Sequence, residues 1–125
     1  MLLQGLWQFP HFLWILAGFI VSFLGVIPAI IYKRRKPWFL IHKIITALSI
    51  TLIAIGIISL GYVAQGFPHA ILGLVGLGIY TITLIIGFIS LKIKKKSLRM
   101  IHIWGGRIGA LLLLVTLILG IVLSI

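Results

Sequence analysis

Cysteine, aspartate and glutamate are absent from all 125 residues. Without cysteine there can be no disulfide, iron–sulfur cluster, thiolate chemistry or Cys-x-x-Cys-His attachment of a c-type haem. Without acidic side chains, general acid–base catalysis by carboxylates, carboxylate-bound metals and an acidic proton relay are excluded as well. Charge is scarce and of one sign: charged residues are 9% of the chain, and the formal net charge is +11. Four histidines are the main side chains left for ligand or redox chemistry.

What is abundant is apolar. Hydrophobic residues make up 62% of the sequence and the mean hydropathy is +1.35, too apolar for a soluble domain of this length. There is room for four spans with short connections and no folded extramembrane domain. The cations fall in two clusters, Lys33, Arg34, Arg35, Lys36 and Lys43, then Lys92, Lys94, Lys95, Lys96, Arg99 and Arg107. Both lie between apolar stretches, which reads as two cytoplasmic loops with anionic lipid headgroups as partners, not as a nucleic-acid surface.

Residues 11–32 contain no Lys or Arg, enough to cross a hydrocarbon core about 30 Å thick. No positive region precedes this first helix and Lys33-Arg34-Arg35-Lys36 follows it, so it reads as a retained span with the N terminus outside. Pro28 is expected to kink it near the inner end. Pro37 opens a second helix that runs to about Tyr62, Gly61 to Pro68 forms an outer turn, and a third helix runs from His69 to about Leu91. Ser97 is the expected cap of a fourth helix, whose end is again outside. Trp7 and Trp14 mark the outer interface, Trp38 and Trp104 the inner one. The predicted fold is thus an all-α integral membrane protein of the cell membrane: one antiparallel bundle of four transmembrane helices, made of hairpins 1–62 and 63–125.

The hairpins look like repeats. Phe9-Pro10-His11 returns 58 residues later as Phe67-Pro68-His69, and the basic run ahead of Ile41-His42 returns 60 residues later ahead of Ile101-His102. Each span carries one histidine near its start, two at the outer side (His11, His69) and two at the inner (His42, His102). Two parallel-related hairpins about an axis along the membrane normal would let equivalent histidines face one another and ligate two buried haems. Bis-histidine ligation fills both axial positions of the iron, so the expected work is electron transfer. The two ligand levels would stand about 25 Å apart. Gly73 and Gly106, each four residues after a histidine, either make room for the macrocycle or serve helix packing; for Gly76, Gly78, Gly105 and Gly109 packing is the expectation. Arg107 either snorkels to headgroups or pairs with an inner-haem propionate, as could Lys36, Lys43 and Arg99, which could instead bind an anionic reductant.

These residues resemble the core of the cytochrome b561 family, transmembrane di-haem electron carriers. Leu24-Gly25-Val26-Ile27-Pro28-Ala29-Ile30-Ile31-Tyr32, then Lys33 and Trp38-Phe39-Leu40-Ile41-His42, look like that family's first core helix, basic loop and second ligand. His69-Ala70-Ile71-Leu72-Gly73 looks like its third-helix motif, and Arg99 through His102 to Gly106 like its fourth. The resemblance implies haem b between helices 1 and 3 and between helices 2 and 4. It also implies an ascorbate-like reductant at the cytoplasmic face and a ferric chelate or oxidised radical as acceptor outside. Typical members have six helices and this chain has the four central ones, so a quinol, a flavoprotein or another membrane subunit is an alternative donor. Two competing readings are a haem-bearing anchor subunit that exchanges electrons with quinone or a soluble redox partner, and a haem-free structural or assembly subunit. A homodimer through small-residue faces is compatible with each.

Overall fold

The computed structural model describes residues 10–31, 36–59 and 68–123, leaving aside the side chains of Pro28 and Lys36. They form four helices: α1 Pro10–Ile31, α2 Lys36–Ile58, α3 Pro68–Ile93 and α4 Lys96–Leu123. There is no strand among the described residues. Each helix is long and apolar enough to cross a membrane; the 22 residues of α1 alone extend about 33 Å. The chain therefore has the character of a multi-pass membrane protein. Pro10 and Pro68 open α1 and α3, and Pro37 lies in the first turn of α2, positions where a missing N–H leaves no helical bond unmade. Along α1 the helix continues through Pro28 to Ile31. The basic residues Lys33, Arg34 and Arg35, the outer turn from Gly61 to Phe67, Tyr62 and Trp7 lie outside the described residues.

Two helix ends differ from the sequence expectation. The described part of α2 stops at Ile58, short of Tyr62, with Ser59 in a turn whose hydroxyl donates to the Gly56 carbonyl at 2.7 Å. At the other connection α3 runs past Leu91 to Ile93, and α4 starts at Lys96, so Ser97 lies inside the first turn and is not the cap. The Lys95 carbonyl accepts the first bond of α4, from the Arg99 N–H at 3.3 Å, which places Lys95 at the cap. What stops α3 is Lys94, in the left-handed region at φ 54°, its N–H donating to the Ser90 carbonyl at 3.0 Å. This is a left-handed C-cap with lysine where glycine is usual.

A side chain in that conformation costs roughly 1 kcal/mol. Lys94→Gly is therefore expected to stabilise the α3–α4 hairpin by about 1 kcal/mol in detergent-titrated unfolding, whereas Lys94→Ala, which removes the same charge but keeps a Cβ, gains nothing. Equal stability of the two variants would show that charge, not backbone strain, governs this turn.

The chain divides into two compact units, one holding α1 and α2, the other α3 and α4 as far as Leu119. In the first, the buried positions step by four and three: Gly18, Ser22 and Gly25 on α1, and Thr46, Ser49, Ile53 and Gly56 on α2. That is the 3.5-residue spacing of a left-handed helix pair. Small residues let the backbones approach, the usual basis of helix pairing where surrounding lipid is as apolar as the core. A Cβ on Gly18 would lie 3.0 Å from both the Ile53 nitrogen and the Ser49 oxygen, and one on Gly56 would lie 3.1 Å from the His11 oxygen and the Ile15 nitrogen. The Ser49 hydroxyl, fully buried, donates to the Gly18 carbonyl at 2.9 Å. The contacts run in opposite order along the two helices, Gly18 meeting Ile53 and Gly25 meeting Ile45.

The second unit has a matching seam. Gly76, Tyr80 and Thr83 are buried on α3, Gly109 and Leu113 on α4. Gly109 approaches the backbone of Tyr80, a Cβ there standing 3.3 Å from the Tyr80 Cα, and Gly105 presses on the Thr83 hydroxyl. Gly76 packs against Leu112 and Leu113. Gly78 departs from the packing expectation: among the described residues nothing stands within 4 Å of a Cβ placed there. It is two residues from Gly76, about 200° around the helix, and so faces away from the seam.

Candidate functional site

The four histidines fall at the edges of these seams. His42 stands four residues before Thr46, and His102 seven before Gly109, so both continue the buried periodicity toward the basic ends of their helices. Each ring is half-buried, and each reaches across to the backbone of its neighbour. The Nδ1 of His42 lies 3.0 Å from the Gly25 carbonyl oxygen, and the Nδ1 of His102 lies 2.8 Å from the Thr83 carbonyl oxygen.

A carbonyl only accepts, so in both rings Nδ1 carries the proton and donates. In the neutral imidazole the lone pair is then on Nε2, the nitrogen that can ligate a metal. Metal-ligating histidines characteristically donate their other N–H to a carbonyl or carboxylate, which fixes the ring's orientation and raises its basicity. In a chain with no Asp or Glu no side-chain carboxylate can take that role, and here a backbone carbonyl does. The donor set and its anchoring thus fit an imidazole-ligated iron. Among the described residues no three His, Cys, Asp or Glu side chains gather around a point that could hold a metal ion; a bis-imidazole site asks for two.

His11 and His69 are the second residues of α1 and α3 and are half-buried. His11 and His42 belong to one unit, His69 and His102 to the other. Each ligand pair expected from the repeat therefore takes one histidine from each unit. Of the two glycines spaced four residues from a histidine, Gly73 packs tightly, a Cβ there standing 3.1 Å from Thr116 Cγ2. Gly106 has more room: its nearest described neighbour is Thr83 Cγ2, at 3.7 Å. A pocket beside His102 is compatible with Gly106, whereas packing accounts for Gly73.

The cations near the inner histidines lie along their own helices. Lys43 Nζ sits 4.5 Å from the Phe39 ring centroid, and the Arg107 guanidinium carbon 5.0 Å from that of Trp104. Arg107, Trp104 and Arg99 are exposed, Lys43 half-exposed, and the Lys36 side chain is outside the described set. Arg107 follows His102 by five residues, about 140° around α4 from it. That direction, with the Trp104 contact, favours headgroups over a group bound beside His102.

Sequence reasoning missed Gly25, Thr83 and Gly87. A Cβ at Gly87 would stand 2.7 Å from both Cε1 and Nδ1 of His102. One signal could have found it: with the connection centred on Lys94 and Lys95, Gly87 is the mirror position of His102. The two carbonyl acceptors carried no such signal, because every residue presents a carbonyl. No family model, curated protein or solved structure matches the chain.

Proposed function

We propose that the chain is a four-helix membrane cytochrome b that carries single electrons across the bilayer, with His42 and His102 binding an inner haem and His11 and His69 an outer one. The observation that carries this reading is the shared anchoring of His42 and His102, each a half-buried ring with Nδ1–H on a backbone carbonyl; in this reading Nε2 would be the ligating nitrogen. The acceptors Gly25 and Thr83 are 58 residues apart and the donors 60 apart, the same offsets at which the sequence repeats. That match supports an antiparallel bundle made of two related hairpins. Each haem b, held by its pair of histidines, would supply a one-electron ferric/ferrous couple.

In this reading the protein's own contribution would be to hold four imidazoles at two depths. The small-residue seams bring the helices close enough for an imidazole to reach the facing backbone, and the carbonyl bonds set each inner ring before ligation. The exposed cations Lys92, Lys94, Lys95, Lys96 and Arg99 gather at one end of α3 and α4. In this reading they face the cytoplasm and anionic headgroups, with both termini outside. In this reading Lys36, Lys43 and Arg99 would attract an anionic, ascorbate-like reductant on that side. The acceptor outside would be a ferric chelate or an oxidised radical.

The test is a reduced-minus-oxidised visible spectrum of the purified protein with a pyridine haemochrome count. Two b haems per chain are expected. A colourless preparation from haem-replete cells would overturn the reading in favour of a haem-free membrane subunit.

A further inference from the structure

His102 owes its position to a gap in the facing helix. Thr83 and Gly87 lie one turn apart on α3, and both meet the His102 ring. A Cβ on Gly87 would fall 2.7 Å from Cε1, 2.7 Å from Nδ1 and 3.4 Å from Cγ, so the ring edge that carries Nδ1 occupies the space an ordinary side chain needs. Only with that space open does Nδ1–H reach the Thr83 carbonyl at 2.8 Å.

Two neighbouring features reinforce the arrangement. The Gly87 carbonyl accepts the Ser90 hydroxyl at 2.8 Å, and the Thr83 carbonyl one turn away takes the His102 ring. On α4, Gly105 against Thr83 and Gly109 against Tyr80 bring the two backbones together, and this carries the imidazole over α3.

We infer that Gly87 is a positioning residue: its missing side chain, with the Thr83 carbonyl, forms a slot that fixes the rotation and tautomer of the His102 imidazole from within the α3–α4 hairpin. The slot presents Nε2 in one direction. Its consequence for an iron rests on the ligation proposed above; its consequence for the imidazole does not.

The experiment uses full-length purified protein labelled with ¹⁵N-histidine, reduced for NMR and oxidised for EPR. In the wild type His102 is expected to show a protonated, hydrogen-bonded Nδ1; an unprotonated Nδ1 there would overturn the inference without any variant. Gly87→Ala is expected to shift or abolish that Nδ1–H signal and to move the lowest-field g value of one of two low-spin ferric signals, sparing the other. Gly78→Ala, at an open position, should change neither. If Gly87→Ala lowers stability but leaves both the His102 signal and the g values as in wild type, Gly87 only packs helices and the slot is refuted. A wild type without ferric signals would refute the haem reading alone, and the His102 signal would still decide the slot.

Discussion

Replacing His42 or His102 by alanine is expected to halve the haem content from two per chain to one, with the same haem lost in both variants. Both rings are anchored by Nδ1 to a carbonyl on the neighbouring helix of their own hairpin. Under the proposed ligation each would supply one imidazole to the inner haem, so losing either leaves a single imidazole. His11→Ala and His69→Ala should remove the other haem. Haemochrome counts with redox titration of the variants distinguish the two sets. If His42→Ala and His102→Ala removed different haems, the pairing across the hairpins would be wrong while the cytochrome assignment stood. The remaining ring is still held by its carbonyl bond within its own hairpin, so loss of the haem is expected without unfolding of that hairpin.

The second large effect is on stability. Gly18→Leu is expected to destabilise the α1–α2 hairpin by about 3 kcal/mol, at the upper end of ordinary overpacking. The obstacle at Gly18 is partly backbone: Ile53 nitrogen and Ser49 oxygen both lie 3.0 Å from a Cβ there, and they retreat only if the helices separate. Separation also stretches the bond from the Ser49 hydroxyl to the Gly18 carbonyl, an interhelical contact of a kind worth roughly 0.6 kcal/mol. Gly78→Ala is the counter-case. With nothing among the described residues within 4 Å, alanine there gains helix propensity, close to 1 kcal/mol relative to glycine. Detergent-titrated unfolding of both variants checks the contrast, and a Gly18→Leu protein as stable as Gly78→Ala would mean the close approach of α1 and α2 is absent.

The two glycines show how far the sequence can be read. Gly76 and Gly78 are nearly adjacent and chemically identical, yet one packs against Leu112 and Leu113 and the other faces open space. In a soluble helix, polar residues on the outer face would have told them apart. Here both faces are apolar, because lipid and protein interior make the same demand, so the pattern that normally reveals rotation is nearly flat. The same reason accounts for Gly73, whose spacing from His69 is equally compatible with a cofactor gap and with packing; a Cβ there would stand 3.1 Å from Thr116 Cγ2, a contact consistent with packing. At the α3–α4 connection the limit was different. Ser97 is a good capping residue by type, but helix ends also depend on where the preceding helix stops, and the left-handed turn at Lys94 moved the start of α4 to Lys96.

Composition and the spacing of charge by themselves determined that this chain forms four apolar helices separated by basic or turn-forming segments. A run of about eighteen or more uncharged, mostly apolar residues can satisfy its backbone within a bilayer only as helix. The same composition also left histidine as the main candidate for ligand chemistry. Tertiary structure decided which way each helix turns, and with it that His42 reaches Gly25, that His102 settles into the gap at Gly87, and that Gly78 touches nothing described. Successive residues differ by about 100° around a helix axis, so a contact of this kind exists only once two helices have settled their rotation and register against each other.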